Sequence, residues 1–204
     1  MQPSPISRDN LQTYLWFRQA AERGNAYAQL NLGLMYKKGR GVVRDDGHAF
    51  RWLRKAALQG IAFAQNHLGT MYYEGAGVPR DECLAAEWFR RAAEQGDASA
   101  QQNLGQLYKR GNGVERNAEL ALAWFYRAAE QGLASAQNLL GECYLRGEGA
   151  PQNFALAMAW FRKAALQGDA AAQRNLGGMY AKGQGSQRDE ALALFWCARA
   201  ARQR

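Results

Sequence analysis

The side chains of this chain that could move protons, hold a metal or attack a substrate are few. His48 and His67 are its only histidines. An imidazole can ligate zinc or act as a general base, but each task needs further ligands or a carboxylate at fixed spacing. No carboxylate pair recurs with His48, and no metal-ligand spacing is present. At steps of 36 residues from His48 stand Leu84, Leu120, Leu156 and Leu192, which marks His48 as a half-buried stand-in for leucine. Cys83, Cys143 and Cys197 are odd in number and share no recurring position, so they build no disulfide framework. Cys143 replaces Met35, Met71, Leu107 and Met179, and Cys197 replaces Phe17, Leu53, Phe89, Phe125 and Phe161. Both read as buried apolar substitutes. Gly-x-Gly pairs such as Gly39 and Gly41 recur as turns and lack the Lys-Ser/Thr of a phosphate-binding loop. No enzymatic activity, metal or cofactor is expected.

The chemistry that remains is recognition. Tyr27, Phe63 and Tyr73 offer aromatic surface, while Asn31, Asn66, His67, Gln102, Asn103, Gln106, Asn138 and Asn175 offer amides and an imidazole. An amide donates and accepts at once, which suits the backbone of an extended peptide.

The elements that carry these residues follow from a fixed period. Trp16, Trp52, Trp88, Trp124, Trp160 and Trp196 are all the tryptophans of the chain, each 36 residues after the last. Gly24, Gly60, Gly96, Gly132 and Gly168 keep the same register, as do Tyr36, Tyr72, Tyr108, Tyr144 and Tyr180. A period of this length marks an array of small stacked units. The units are a leading half-repeat over 1–24, then repeats over 25–60, 61–96, 97–132, 133–168 and 169–204, all in one continuous domain.

Each unit reads as two helices. Asn25, with Asp97 and Asp169 in its column, is an N-cap for a helix A that runs to about Lys38. Gly39 ends it, because the left-handed conformation after a helix is cheapest for glycine. Asp45, Asp81, Asn117, Asn153 and Asp189 form a second N-cap column, which Asp9 also fits, for a helix B that stops at Gly60 and its equivalents. The tryptophans, on helix B, are expected in the core. The mid-helix glycine of Leu32-Gly33 recurs in all five repeats. It costs about 1 kcal/mol of helix propensity, so a larger side chain there is expected to clash. The fold expected is all-α, a solenoid of helix-turn-helix repeats.

On a helical wheel, columns 28, 29, 32, 33 and 36 of helix A each keep one residue type, column 35 stays apolar, and the six share one arc. Columns 27, 30, 31, 34, 37 and 38 vary and share the opposite arc. The first arc is held by packing, and the second is free to bind. The recognition residues named above all lie on the second. It also carries Lys37, Lys38, Lys109, Arg110, Arg146, Arg174 and Lys182 against Glu74 and Glu142, in a chain of net charge +8.

The string Ala28…Leu32-Gly33…Tyr36…Gly39-Arg40-Gly41-Val42…Asp45…Ala49…Trp52…Lys55-Ala56-Ala57…Gly60 resembles the Sel1-like repeat, over nearly the whole chain. That resemblance implies a right-handed α-α superhelix related to tetratricopeptide arrays, in which helix A lines a concave groove. It implies a bacterial adaptor, since members act in protein quality control, envelope assembly and virulence. It also supports peptide contact by Asn31, Asn103 and Asn175, which share a column. The paired cysteines of the secreted subgroup are missing.

The function expected is a non-enzymatic scaffold that binds a protein or peptide segment, acidic by charge complementarity, in the helix A groove. The alternative is a helical-repeat binder of single-stranded RNA, which the net charge permits. No apolar run approaches the roughly 18 residues of a membrane span. Met1-Gln2-Pro3-Ser4-Pro5 has no apolar signal segment, so a cytoplasmic location is expected, or a periplasmic or secreted one if a leader was removed. At the other end Trp196 and Phe195 are expected to leave an apolar edge that Arg199, Arg202 and Arg204 only partly shield. That edge is expected to be covered, either by a second copy of the protein in a homodimer or by sequence outside these residues.

Overall fold

The computed structural model describes residues 8–202. Among them are eleven α-helices and no strand: α1 (Arg8–Glu22), α2 (Ala26–Lys38), α3 (Asp46–Leu58), α4 (Ala62–Glu74), α5 (Glu82–Glu94), α6 (Ala98–Arg110), α7 (Ala118–Glu130), α8 (Ala134–Arg146), α9 (Phe154–Leu166), α10 (Ala170–Lys182) and α11 (Glu190–Ala201). The even-numbered helices are helix A of their repeats and the odd-numbered ones helix B. No helix among the described residues is long and apolar enough to cross a membrane. The chain forms two compact units, Met1–Ala100 with Asn112–Val114, and Gln101–Gly111 with Glu115–Arg204. In the first, α2 packs on α1 and α3, and α4 on α3 and α5. In the second, α8 packs on α7 and α9, and α10 on α9 and α11. Successive helix pairs of this kind are helical repeats.

The helix ends follow the two capping columns. Asn25 and Asp169 accept from the backbone N–H of Ala28 and Ala172, and Asp97 from that of Ala100. Asp45, Asp81, Asn117, Asn153 and Asp189 do the same for His48, Leu84, Leu120, Leu156 and Leu192. Helix α1 begins at Arg8, so Asp9 lies within its first turn and does not precede it; its side chain lies outside the described residues. Arg204 lies outside them as well. Between helices A and B, Gly39 closes α2 at φ 66° and its N–H returns to Met35 O. Gly41, at φ 72°, serves a second purpose. A Cβ there would overlap the Asn10 carbonyl of α1, and at Gly185 it would lie 2.7 Å from the Phe154 carbonyl of α9. Each loop therefore lies against the start of the previous helix B, which only glycine permits.

The core is built where helix B meets the glycine of helix A. Leu53, Phe89, Phe125 and Phe161 are all fully buried. A Cβ on Gly69 would be 2.8 Å from the Phe89 ring, on Gly105 2.7 Å from Phe125, and on Gly141 2.7 Å from Phe161. Gly33 meets Leu53 Cγ at 2.7 Å in the same way. The ring thus lies on bare backbone, and the clash expected from the repeated glycine is the reason for its recurrence.

The tryptophans differ from expectation. Trp88, Trp160 and Trp196 are buried, Trp52 and Trp124 half-buried, and Trp16 is 64% exposed. The rings of Trp52, Trp88, Trp160 and Trp196 face the preceding repeat. Trp88 joins Leu53, Ala56, Ala57 and Leu68 in the first unit. In the second, Trp160 meets Tyr126 edge-on at 6.0 Å, and Trp196 joins Met158, Phe161 and Ala164. Each ring from Trp52 onward also carries the cation three residues later: Lys55 at 4.3 Å, Arg91 and Arg127 at 4.5 Å, Lys163 at 4.0 Å and Arg199 at 5.9 Å. The expected exposure of Trp196 is therefore wrong, because its ring turns back onto α9 and α10. Homodimerisation through that edge loses Trp196 as a basis and keeps Phe195, which is 53% exposed, with Leu194 exposed beside it. Cys143 is buried as expected, and burial pushes its thiol pKa up to about 11. Cys197 is exposed, against expectation.

Buried amides join one repeat to the next. Gln29, Gln65, Gln137 and Gln173 donate to the carbonyls of Ala21, Ala57, Ala129 and Ala165 in the helix B before them, at 3.0–3.1 Å. They accept in turn from helix B caps of their own repeat: Gln59 to Gln29 and Gln95 to Gln65 at 2.7 Å, and Gln167 to Gln137 at 2.8 Å.

Two helical glycines should respond oppositely to the same change. Gly141→Ala should lose about 1–3 kcal/mol, because Phe161 has no room to retreat. Gly178, on α10, has nothing within 4 Å of its added Cβ. Gly178→Ala should gain about 0.5–1 kcal/mol from helix propensity alone. Urea unfolding of both variants measures this; equal shifts would remove the close approach as the reason for Gly141.

Candidate protein-binding face

The two units use the variable arc of helix A differently. In the first unit, Tyr27 on α2 is 66% exposed and Phe63 on α4 is 47% exposed. The Phe63 ring meets the half-buried His67 ring edge-on at 4.6 Å. Tyr73, the penultimate residue of α4, is half-buried with the Arg80 guanidinium 5.6 Å over its ring. Asn31 turns its amide onto its own helix, donating to the Tyr27 carbonyl at 2.8 Å. Asn66 is only 6% exposed, which takes it out of reach of a ligand.

In the second unit the amides bind one another. Asn175 on α10 donates to Asn138 Oδ1 on α8 at 2.9 Å, and Asn138 donates to Glu142 at 3.1 Å. Asn138 is 6% exposed. Gln102 on α6 accepts from the Ser135 hydroxyl on α8. Asn103 and Gln106 are half-buried on the same face of α6. The helical wheel puts column 30 on the free arc, yet Leu30, Asn66 and Asn138 are buried in it. A helical wheel records direction around one helix and not the neighbour that covers it.

The charges repeat this division. Lys109 on α6 contacts Glu148 at 2.7 Å, and Arg146 approaches the same carboxylate at 3.7 Å. The Lys109 ammonium, with Arg146 behind it, holds the Glu148 pKa below the usual carboxylate range. The sequence gives no sign of this role for Glu148, because its loop column holds Arg40, Ala76, Asn112 and Gln184 in the other repeats. Lys37 and Lys38 on α2 form no ion pair among the described residues. His48 is half-buried as expected, stacked on Tyr36 at 4.9 Å with its Nδ1 2.7 Å from Asp45. Among the described residues no group of His, Cys, Asp and Glu could hold a metal.

An all-α array of this kind defines a helical-repeat protein. The Sel1 repeat model matches residues 2–25, 26–61, 62–97, 98–133, 134–169 and 170–204, and the chain belongs to that family. It is 43% identical to c5321, a protective antigen of uropathogenic Escherichia coli with an SLR fold, at a TM-score of 0.91 over 97% of this chain. It is 40% identical to a Sel1 repeat protein of Oxalobacter formigenes, at a TM-score of 0.84 over 93% of this chain. The chain spans 42% of the first of these proteins and 55% of the second. An immunity protein of Pseudomonas aeruginosa, 23% identical, shares the fold at a TM-score of 0.64, covering 98% of this chain and 76% of its own. No curated protein matches the chain. Nothing in the fold or these likenesses supports the RNA-binding alternative.

His67 gives the face a pH signature. Burial first, then the Lys37 and Lys38 charges, lowers its pKa to about 4. In the unfolded chain a histidine titrates near 6.5. Between about 4 and 6.5 the unfolded chain binds the extra proton, so stability is full above that window and declines as the pH falls through it. His67→Gln should therefore lose about 1 kcal/mol less than the native chain between pH 7.5 and 5, after solvent screening. Urea titrations at the two pH values measure this, and parallel losses would exclude His67 as the group responsible.

Proposed function

We propose that the chain is a non-enzymatic interaction scaffold that binds a protein segment along the variable faces of its A helices. Sel1 repeats are in general protein-interaction modules, and the fold offers side-by-side helices with one arc committed to packing. The observation that carries the reading is the open aromatic surface of the first unit. Tyr27 and Phe63 are large apolar side chains left exposed on successive A helices, although the fixed arc of each helix is buried. Exposed aromatics beside polar groups are the usual anchors of a protein interface. In the second unit Asn103 and Gln106 are the residues of the same arc best placed to meet a peptide backbone.

A photo-crosslinking residue at Phe63 should capture a partner from cells, and the same residue at Arg54, exposed on α3, should not. Changing Phe63, His67, Asn103 and Gln106 together should abolish capture by the purified protein. Capture from both positions alike, or capture that survives the fourfold change, would show that the partner binds elsewhere.

A further inference from the structure

We propose that the partner of the α2–α4 face is an acidic segment, which supplies to Lys37 the carboxylate that Glu148 supplies to Lys109 and lays an apolar side chain against Phe63. This rests on the reading of that face as a protein-binding surface. Lys37 and Lys109 occupy the same column, at the end of helix A. Lys109 reaches forward to Glu148 in the next repeat's loop, at 2.7 Å. The residue 36 positions before Glu148 is Asn112, and 36 before that is Ala76, so the next repeat's loop, which Lys37 would reach, carries a methyl group where a carboxylate would stand.

Lys37 is half-buried and Lys38 exposed, and neither forms an ion pair among the described residues. Glu74, at the end of α4, forms none with them. A cation that lacks a counter-ion is open to a charge-assisted hydrogen bond from a bound carboxylate. The positive field is felt nearby, since both lysines depress the titration of His67. Phe63, in edge contact with that imidazole, sets the exposed apolar surface beside the charges. A segment that alternates carboxylates with apolar side chains matches both features, and charge complementarity of this kind selects against basic partners.

The test uses the full chain and three fluorescein-labelled peptides, alternating leucine with glutamate, glutamine or lysine. Anisotropy gives affinity and amide NMR shifts give position. The glutamate peptide should bind about tenfold more tightly than the glutamine peptide, more tightly still than the lysine peptide, and shift the amides around Phe63 and His67. Ala76→Glu gives Lys37 an internal counter-ion and should weaken the glutamate peptide about fivefold. Ala76 packs near the core, so Lys37→Gln, on the surface, serves as a second variant with the same expected loss. Equal affinity of the glutamate and glutamine peptides, or no loss in both variants, overturns the acidic partner while leaving the protein-binding face intact. No shift at Phe63 with any peptide overturns both. Tighter binding of oligouridine to the same residues would assign the cations to nucleic acid instead.

Discussion

How closely helix A can approach helix B governs the rest of the fold. At Gly69, Gly105 and Gly141 the buried rings of Phe89, Phe125 and Phe161 rest on backbone with no Cβ between. The glycine gives up about 1 kcal/mol of helix propensity at each position. The buried ring returns about 1.5–3 kcal/mol and makes dispersion contacts that a longer distance would forfeit. Helix B contributes its own small residues, the buried pairs Ala56-Ala57, Ala92-Ala93, Ala128-Ala129 and Ala164-Ala165. Two short-range surfaces set the hairpin, and the tight glycine loops follow from the space left between helix ends.

Apolar contact alone is non-directional and would let stacked hairpins slide. The glutamine ladder prevents this. Each buried amide in Gln29, Gln65, Gln137 and Gln173 spends its donor on the preceding helix B, and for Gln29, Gln65 and Gln137 the accepting oxygen serves a cap of the same repeat. A shift of one residue would leave a buried amide unpaired, at a cost of about 1–3 kcal/mol. Among the described residues no buried side-chain polar atom lacks a partner, so this register is fully satisfied.

These features were not equally legible in the sequence. Columns of a single residue type were: the N-caps, the loop glycines and the mid-helix glycine each state a backbone requirement that only one or two residue types meet. The Ala-Gln column was visible as a packing position. A polar residue in a packing arc needs a buried partner, and the recurring Gln59, Gln95, Gln131 and Gln167 were there to supply it. Direction was not legible. Six identical tryptophans say that the site is buried, but not whether a ring turns forward or back, so Trp16 and Trp196 exchanged their expected environments. Cys197, exposed, also departs from the buried Leu53, Phe89, Phe125 and Phe161 of its column.

The variable columns were legible as a face but not as a site, because variation has two opposite physical causes. In the second unit the varying residues differ because they have become specific to one another. Asn138, Asn175 and Glu142 form one hydrogen-bonded set, and Lys109, Glu148 and Arg146 form one charge cluster. Their chemistry is spent inside the fold. In the first unit the same columns hold Tyr27, Phe63, Lys37 and Lys38, with aromatic area in solvent and charge without an opposite. Here variation leaves interaction capacity unused. A repeat array can thus carry one segment whose polar side chains pair with one another and another whose aromatic side chains stay exposed, on a single unbroken period. What separates them is whether a carboxylate or amide from the next repeat reaches the position first.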